Sequence, residues 1–212
     1  MILMSLYIDD ISPGVTTLGP GNRIGLWLQG CTLRCPGCMS PELFERKESC
    51  RQKVREVFRQ LLAYAPDHTG LTISGGEPFQ QAPALKKLLL LVQEYTSLDI
   101  LIYSGYTLAE LQRGPAEVAA VLPLVDVLIA GRYRRDLPTS KPWLGSRNQI
   151  LHLLSRRAQM DKKYKNAIPR DLPSLEVRVK ENNKLDLIGI PRPGDRARFR
   201  DLLLQRGIEL KK

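Results

Sequence analysis

Short apolar segments alternate with amphipathic helical patterns through the first two-thirds of this chain. The apolar segments cover residues 24–28, 71–74, 99–103 and 125–130, and helical periodicity marks residues 50–65 and the stretch after Pro83. Such alternation predicts parallel βα units. About four or five units fit before residue 155, too few for an eight-unit barrel of about 250 residues. We therefore expect an α/β fold, a partial, open (βα) barrel of about five to six parallel strands.

Four polar or glycine-rich segments each follow one of the predicted strands. They are residues 30–40, 75–78, 104–106 and 131–132. The carboxyl ends of parallel strands meet at one edge of a sheet, and ligands bind at that edge. We therefore expect the four segments to line a single site.

Three of the four cysteines stand on the first of these segments, with the spacing Cys-x3-Cys-x2-Cys. They are Cys31, Cys35 and Cys38. Thiolates are the usual ligands of iron–sulfur clusters, and a [4Fe–4S] cube normally takes four of them. Three ligands would hold three irons and leave the fourth iron open, which is typical of a reactive metal site.

The alternatives are a structural zinc site and three unrelated buried thiols. Zinc requires a fourth ligand. The remaining candidates are Cys50, His68 and His152, and none has a spacing typical of a zinc finger. We interpret Cys50 as a free thiol and both histidines as structural.

The amino terminus carries no targeting signal that we recognise. Residues 1–10 lack a basic region and are too acidic for a signal peptide. A short strand is predicted over residues 1–8, followed by a loop over residues 12–22 that is rich in proline and glycine. No apolar run approaches the roughly 20 residues needed to cross a bilayer. Four cysteines in such a chain indicate metal or redox chemistry, and we expect a cytoplasmic protein without membrane contact.

The carboxyl-terminal part of the chain is strongly basic. Residues 155–212 contain 16 Lys and Arg against 8 Asp and Glu, so they carry +8 of the net charge of +10. We predict a linker over residues 155–174, a β-hairpin from residues 175–179 and 185–190, and a final helix. The expected domains are residues 1–154 and this extension, residues 155–212. A basic extension suits an acidic partner or nucleic acid, although a solvated surface explains it equally well.

Longer runs around these motifs resemble a known enzyme family. The cysteine spacing resembles the cluster loop of the radical S-adenosylmethionine (SAM) enzymes. Residues 19–23 (Gly-Pro-Gly-Asn-Arg), 29–31 (Gln-Gly-Cys) and 35–38 (Cys-Pro-Gly-Cys) resemble more narrowly the activating enzymes of anaerobic ribonucleotide reductase. Residues 125–133 and 143–149 are similar to the same branch, and the resemblance covers about residues 14–154.

The resemblance implies the ligands of two cofactors. Cys31, Cys35 and Cys38 would bind the [4Fe–4S] cluster. The turn that follows the next strand is similar to the family motif that holds the amino group of SAM's methionine moiety. This turn consists of Gly75, Gly76, Glu77 and Pro78.

Three further positions follow from the resemblance. Gly37 and Met39 flank the third cysteine, where family members contact the adenine side of SAM. Ser104 stands in a segment similar to the family's Thr-Gly-Tyr turn, and we expect it at the cofactor. Ala130 departs from the family pattern, because the family commonly has aspartate at this position. Any role that the aspartate has in the family is therefore not expected in this chain.

The function that the resemblance implies is radical generation. A flavodoxin- or ferredoxin-like donor would reduce the cluster, and reductive cleavage of SAM would give methionine and a 5′-deoxyadenosyl radical. In the family, that radical abstracts hydrogen from a glycine Cα of a large partner, a glycyl radical enzyme. The alternatives are a radical SAM enzyme with a peptide or small heterocycle as substrate, and a non-catalytic iron–sulfur or zinc module that binds nucleic acid through the extension.

Overall fold

The computed structural model describes residues 4–165, 175–179, 185–192 and 194–207. The strands of its main sheet are β1 (Ser5–Val15), β2 (Arg23–Leu28), β3 (Arg51–Lys53), β4 (Gly70–Gly75), β5 (Asp99–Ser104), β6 (Val127–Ala130) and β7 (Ile150–Leu153). A separate hairpin is formed by β8 (Leu175–Val179) and β9 (Leu185–Gly189). The helices are α1 (Val54–Tyr64), α2 (Ala82–Tyr95), α3 (Leu108–Arg113), α4 (Ala116–Ala119), α5 (Arg156–Met160), α6 (Lys162–Lys165) and α7 (Asp195–Gln205).

The main sheet has the order β3-β1-β2-β4-β5-β6-β7. Its four central strands, from β2 to β6, are parallel, and β1, β3 and β7 join them in antiparallel pairs. The α/β class is confirmed, but the expectation of about five to six parallel strands is wrong in number. A parallel neighbour needs a long crossover, usually a helix. In the described chain, only residues 16–22 join β1 to β2, and residues 131–149 between β6 and β7 contain no helix. Curvature into a partial barrel stays a prediction.

The predicted loop over residues 12–22 is wrong in its first part, because β1 continues to Val15. Pro13 and Gly14 lie within this strand, at a register shift between Ser12 and Val15. Gly14 has a φ of 78°, which glycine adopts at little cost. A β-bulge therefore absorbs the two turn-forming residues without ending the strand. Residues 1–3 of the predicted first strand lie outside the described residues.

Helices α1 and α2 cover one face of the parallel strands. Alternate strand positions point toward these helices and form the main core together with their apolar stripes. This core includes Leu26, Leu28, Ile73, Ile100 and Ile102 from the strands, and Val57, Leu61, Leu85, Leu88 and Leu89 from the helices. Each fully buried side chain of this kind contributes about 1.5–3 kcal/mol to folding. The helices therefore fix the strands whose carboxyl ends carry the predicted site.

Charged side chains are buried at the opposite end of the sheet, where β2 and β5 begin. Arg23 is fully buried, and its guanidinium lies 2.6 Å from Asp99 Oδ1 and donates to Thr72 Oγ1 at 2.6 Å. Lys163 Nζ lies 2.6 Å from Asp99 Oδ2, and the Tyr164 hydroxyl donates to Oδ1 at 2.9 Å. Burial alone would raise the pKa of Asp99, but the two cations outweigh it and lower that pKa below its usual value. We call these five residues the charge network.

The carboxyl-terminal extension only partly follows the prediction. The two strands of the predicted hairpin are confirmed as β8 and β9, whereas the turn between them, residues 180–184, lies outside the described residues. Part of the predicted linker is helical, because Ser155 caps α5 by accepting a hydrogen bond from the Ala158 N–H. Residues 166–174 of that linker lie outside the described residues.

No helix within the described ranges combines the length and the apolar character that a bilayer crossing requires.

Candidate functional site

The three cysteines lie on one loop that leaves the carboxyl end of β2. The Cys31 N–H donates to the Phe44 carbonyl at 2.9 Å and fixes the beginning of the loop. The Cys38 N–H donates to the Cys35 carbonyl at 3.0 Å and closes a turn around the other two cysteines. All three thiols are free and half-buried. The cysteine loop, residues 30–40, therefore offers three sulfur ligands on a short fixed segment.

The donor chemistry of this loop fits an iron–sulfur cluster. Burial raises the pKa of the Cys31 and Cys38 thiols, and Cys35 interacts electrostatically with both. Metal binding deprotonates such thiols and neutralises the resulting thiolates. Among the described residues, no three Cys, His, Asp or Glu side chains form a group that could hold a metal ion. A cluster distributes its thiolates over separate irons, so the thiols need not meet at one ion.

The other candidate metal ligands lie apart from the loop. Cys50 is a half-buried free thiol in a 3₁₀ turn before β3. The Gly14 N–H donates to His68 Nε2 at 2.9 Å, and His68 Nδ1 lies 2.6 Å from the Tyr64 carbonyl oxygen. These two contacts occupy both nitrogens of the His68 ring. His152 lies on β7, where burial lowers its pKa.

The turn after β4 packs against the backbone that leads into the cysteine loop. The Gly76 N–H donates to the Leu28 carbonyl at 2.6 Å, and the Glu77 N–H donates to the Gly30 carbonyl at 2.8 Å. A Cβ added to Gly76 would lie 2.4 Å from the Gly30 oxygen, so only glycine allows this approach. Gly75, Gly76, Glu77 and Pro78, which we call the Gly-Gly turn, are thus fixed to the cysteine loop. Their contacts with SAM stay a prediction.

Glu77 is a buried carboxylate that joins the Gly-Gly turn to the end of β5. It is 1% exposed, and its Oε1 accepts hydrogen bonds from the Ser104 hydroxyl at 3.0 Å and the Phe79 N–H at 3.1 Å. Its Oε2 accepts the Gly105 N–H at 2.7 Å. Burial raises the pKa of Glu77 to about 7, even though these hydrogen bonds lower it. A hydrogen bond therefore joins Ser104 and Glu77, which are both predicted cofactor residues.

Gln80 connects the cysteine loop to the segment after β5, and our sequence analysis missed it. The Thr32 N–H donates to Gln80 Oε1 at 3.1 Å, and Gln80 Nε2 donates to Thr32 Oγ1 at 2.7 Å. The same amide donates to the Tyr106 hydroxyl at 3.1 Å. The sequence does indicate Gln80 in one respect: it is a polar residue only two positions after Pro78, the last residue of the Gly-Gly turn.

Arg132 brings a positive charge to the same edge, on the fourth of the segments that we expected to line the site. It directly follows the glycine after β6, and its Nη1 donates to Glu110 Oε1 at 2.9 Å. Its guanidinium lies 5.7 Å from the centroid of the Tyr106 ring. Electrostatic interaction with Cys35 is among the causes that raise the pKa of Arg132, after its hydrogen bond to Glu110. Arg132 is thus a cation near the cysteine loop.

A cavity of about 410 Å³ opens beside the cysteine loop, on the sheet face that α1 and α2 leave uncovered. Trp27, Ser74 and Tyr103 line it from three neighbouring strands, and residues 185–191 line it from the hairpin. The Tyr103 hydroxyl is buried and has no hydrogen-bond partner within the described part of the chain. The volume lies in the range of about 300–1,000 Å³ that small-molecule sites occupy.

The two residues expected near the adenine side of SAM lie in different surroundings. Met39 lines the 410 Å³ cavity together with Ser40. Gly37 lines a second cavity of about 660 Å³ with residues 133–136, and a Cβ added to it would lie 3.1 Å from Arg135 Cδ. The structure therefore brings Met39 to the sheet face and does not bring Gly37 there. Both roles stay predictions.

Ala130, the departure from the family pattern, ends β6. It is buried in the main core and pairs with Ser104 of β5. Its methyl group provides apolar packing where a carboxylate would need a polar partner. This position therefore contributes no ligand to the site.

Comparison with known proteins places these motifs in a family. The chain matches the family described as a 4Fe-4S single cluster domain over residues 17–152. It is 34% identical over 143 residues to the anaerobic ribonucleoside-triphosphate reductase-activating protein of Vibrio cholerae, covering 63% of this chain and 89% of that protein. Proteins of the same name from Escherichia coli K12 and bacteriophage T4 are 33% and 30% identical, over 64% and 68% of this chain and 91% of each relative.

A search of solved structures finds QueE from Escherichia coli, with a TM-score of 0.41 and 19% identity over 49% of this chain and 54% of that one. The family match over residues 17–152 includes the cysteine loop, the Gly-Gly turn, Ser104 and Arg132. The resemblance to radical SAM activating enzymes is confirmed, and so are the [4Fe–4S] cluster and SAM as the cofactors that it implies. The chain belongs to the 4Fe–4S single-cluster family of anaerobic ribonucleoside-triphosphate reductase-activating proteins.

Proposed function

We propose that this protein installs a glycyl radical on an anaerobic ribonucleotide reductase. The observation that carries the proposal is the joining of three motifs at one edge of the sheet. The Gly-Gly turn donates backbone hydrogen bonds to Leu28 and Gly30, and Glu77 accepts from Ser104 and Gly105. The names of the relatives support the choice of partner.

Cys31, Cys35 and Cys38 would bind three irons of the [4Fe–4S] cluster and leave one iron for SAM. The bound, reduced cluster would supply the one electron for cleavage of SAM to methionine and a 5′-deoxyadenosyl radical, and this radical would take a hydrogen atom from a glycine Cα of the partner. The residues of this chain bind and orient the reactants. Arg132, which is paired with Glu110, would contribute a positive charge on the side of Cys35.

The remaining predicted residues would position SAM. Gly75, Gly76, Glu77 and Pro78 would contact its methionine moiety through the turn that is fixed to the cysteine loop. Met39 and Gly37 would contact the adenine side. Ser104 would complete the site from the end of β5, where its hydroxyl donates to Glu77.

We propose a flavodoxin- or ferredoxin-like protein as the electron donor. Pro36 and Gly37 are exposed at the tip of the cysteine loop, beside the exposed side chains of Arg134 and Arg135. Arg134 is paired with Asp136, and Arg135 packs against Gly37. A negatively charged donor would be steered to this position by its electrostatic complementarity.

We further propose the division of labour and the compartment. Residues 1–154 would carry the radical chemistry, since the family match ends at residue 152. Residues 155–212 would form an extension, from which Lys163 and Tyr164 reach the charge network of the main domain. The four free thiols suit the reducing cytoplasm.

The test is formation of the radical on the partner. Anaerobically reconstituted protein is reduced, mixed with SAM and the anaerobic ribonucleotide reductase of the same genome, and examined by electron paramagnetic resonance. The proposal expects a glycyl radical doublet and methionine release, with both lost when Cys35 is replaced by serine. SAM cleavage without a radical on the reductase would contradict it. That outcome would favour a peptide or heterocycle substrate. This alternative is kept open by Ala130, which stands where the family commonly has aspartate.

A further inference from the structure

The hairpin β8–β9 lies outside the family match and is nevertheless firmly seated. The matched relatives align over 143–148 residues that make up 89–91% of their own length, and the family match ends at residue 152. The hairpin follows this region, so it adds to the shared fold. Its purpose must therefore be sought in its own contacts.

One face of the hairpin is polar and binds the main domain. Glu176 Oε1 accepts hydrogen bonds from the Thr16 N–H at 2.6 Å and from the Thr17 N–H at 2.9 Å. Arg178 donates to the Pro13 carbonyl at 2.6 Å, and Ile188 packs against the Val15 cluster. The pKa of Glu176 is lowered overall. Burial alone would raise this pKa, but the hydrogen bonds that the carboxylate accepts outweigh the effect of burial. These contacts fix the hairpin on β1 and the segment after it.

The other face of the hairpin is apolar and largely open. Val177 pairs with Leu187, and Val179 pairs with Leu185, so these side chains share one face with Leu175. Val177 and Leu187 are each 44% exposed and Val179 is 72% exposed. A strand normally buries its apolar side chains and presents its polar ones to water. Here the polar side is bound and the apolar side is exposed, which is typical of a surface that a partner covers.

The apolar face continues into the candidate active site. Leu175, Leu185 and Leu187 line the 410 Å³ cavity that Met39 and Ser40 of the cysteine loop line from the other side. A protein segment that enters this cavity would therefore contact the hairpin, which forms part of its wall. The sequence from residue 155 to residue 212, which includes the hairpin, has a net charge of +8, and this charge complements a partner with acidic flanking residues.

We infer that the apolar face of hairpin β8–β9 is the docking surface for the protein that receives the radical. The segment that docks presents apolar side chains between acidic ones and directs its glycine into the cavity beside the cysteine loop. This inference rests on the proposed function, because it assigns a binding surface to that same partner.

The experiment compares two variants of the reconstituted holoenzyme. Val177→Asp with Val179→Asp places charge on the apolar face, at two positions outside the cavity lining. Leu90→Asp is the matched control, because Leu90 is 42% exposed on α2, in the layer that covers the other sheet face. For each protein we measure SAM cleavage without partner and the concentration of reductase that gives half-maximal glycyl radical.

The double variant should raise the half-maximal reductase concentration about tenfold or more, which is the size of effect expected at an interface centre. SAM cleavage without partner should stay within about twofold of the parent, which also shows that the variant is folded. The Leu90 control should match the parent in both measurements. Added salt should raise the half-maximal concentration for the parent, because charge attraction contributes to docking.

Three results would overturn the inference. An unchanged reductase dependence in the double variant would show that the face does not dock the partner. A parent protein that sediments as a dimer, and a double variant that sediments as a monomer, would assign the face to a second copy of this chain. Failure of the parent to form a glycyl radical at any reductase concentration would instead reject the proposed function itself, and the docking partner with it.

Discussion

Two buried carboxylates at opposite ends of the parallel strands have opposite electrostatic surroundings. Asp99, where β5 begins, is 4% exposed and is bound by the cations of Arg23 and Lys163, so its pKa is lowered. Glu77, beside the end of β5, is 1% exposed and accepts only neutral donors, so burial raises its pKa to about 7. The buried carboxylate at one end of the sheet is paired with two cations, and the buried carboxylate at the other end is in contact with none.

This difference indicates that the end with Asp99 stabilises the fold and that the end with Glu77 serves the function. A carboxylate with two cations stays ionised and holds the strand beginnings together, as long as both cations remain. A carboxylate with a pKa near 7 and no cation in contact is typical of a site arranged for a ligand. The edge with Glu77 also carries the three thiols, whereas the charge network contains none. We therefore expect damage at one end to remove the cofactors and damage at the other to remove stability.

The largest effect is expected from the cysteines. Cys31→Ser, Cys35→Ser and Cys38→Ser should each abolish the iron–sulfur chromophore that the parent gains on anaerobic reconstitution, with about four irons and four sulfides per chain. Iron and sulfide analysis with visible absorption measures this loss. The free energy of unfolding of the apoprotein should change by less than about 0.5 kcal/mol, because the thiols lie outside the core.

Cys50→Ser is the control for this prediction and should keep the full cluster. Stoichiometric zinc without an iron chromophore, or loss of the cluster in the Cys50 variant, would refute the assignment of the ligands.

A smaller but still severe effect is expected from the charge network. Arg23→Met removes one partner of a buried ion pair and should lower the free energy of unfolding by about 3–5 kcal/mol. Urea unfolding, followed by tryptophan fluorescence, measures the change. The folded fraction should still bind the cluster, because Arg23 lies at the far end of β2 from the cysteine loop.

Arg134→Met provides the matched comparison, because Arg134 pairs with Asp136 on the surface at 2.6 Å. An exposed pair contributes only about 0–1 kcal/mol. Equal destabilisation by both variants would remove the distinction between the two ends of the sheet.

The smallest effect is a pH dependence that comes from Glu77. Its pKa is raised to about 7, so the folded chain holds a proton that the unfolded chain releases near its usual pKa of 4.5. Protonation of Glu77 therefore contributes fully to the free energy of unfolding below about pH 4.5. This contribution, about 3 kcal/mol, is lost as the pH rises through about 7. Glu77→Gln cannot ionise, so it should flatten this part of the curve of unfolding free energy against pH.

Asp99 should show the opposite pH dependence. Its pKa is lowered, so its contribution to the free energy of unfolding is present at high pH and is lost as the pH falls. Glu117→Gln, on exposed α4, is the control and should leave the curve as in the parent. A Glu77→Gln curve that falls as steeply as that of the parent between pH 5 and 8 would contradict the prediction.

The sequence was most informative where the structure depends on local periodicity. Helix α1 follows from the apolar spacing of Val54, Val57 and Leu61, and the three-residue spacing of Thr107 and Glu110 is that of the capping box that begins α3. The convergence of the cysteine loop, the Gly-Gly turn and Ser104 followed from the rule that parallel strands end at one edge. That rule needs the order of the elements along the chain and no distances.

The sequence was less informative where contacts between distant residues decide the structure. Pro13 and Gly14 predict a turn, but pairing of β1 with β2 keeps both inside a strand. Glu176 reaches Thr16 across 160 residues, and neither residue type indicates that contact. Gln80 was missed for a similar reason, because its role depends on Thr32 and Tyr106 lying on either side of it.

The position of the charge network has a consequence for how the protein responds to oxygen. Air destroys exposed iron–sulfur clusters, and a chain whose fold depended on the metal would be lost with it. Here Arg23, Asp99 and Lys163 hold the strand beginnings through bonds to which no sulfur contributes. We therefore expect the chain to stay folded when oxidation removes the cluster. Renewed supply of iron and sulfide should then restore such a chain without synthesis of new protein.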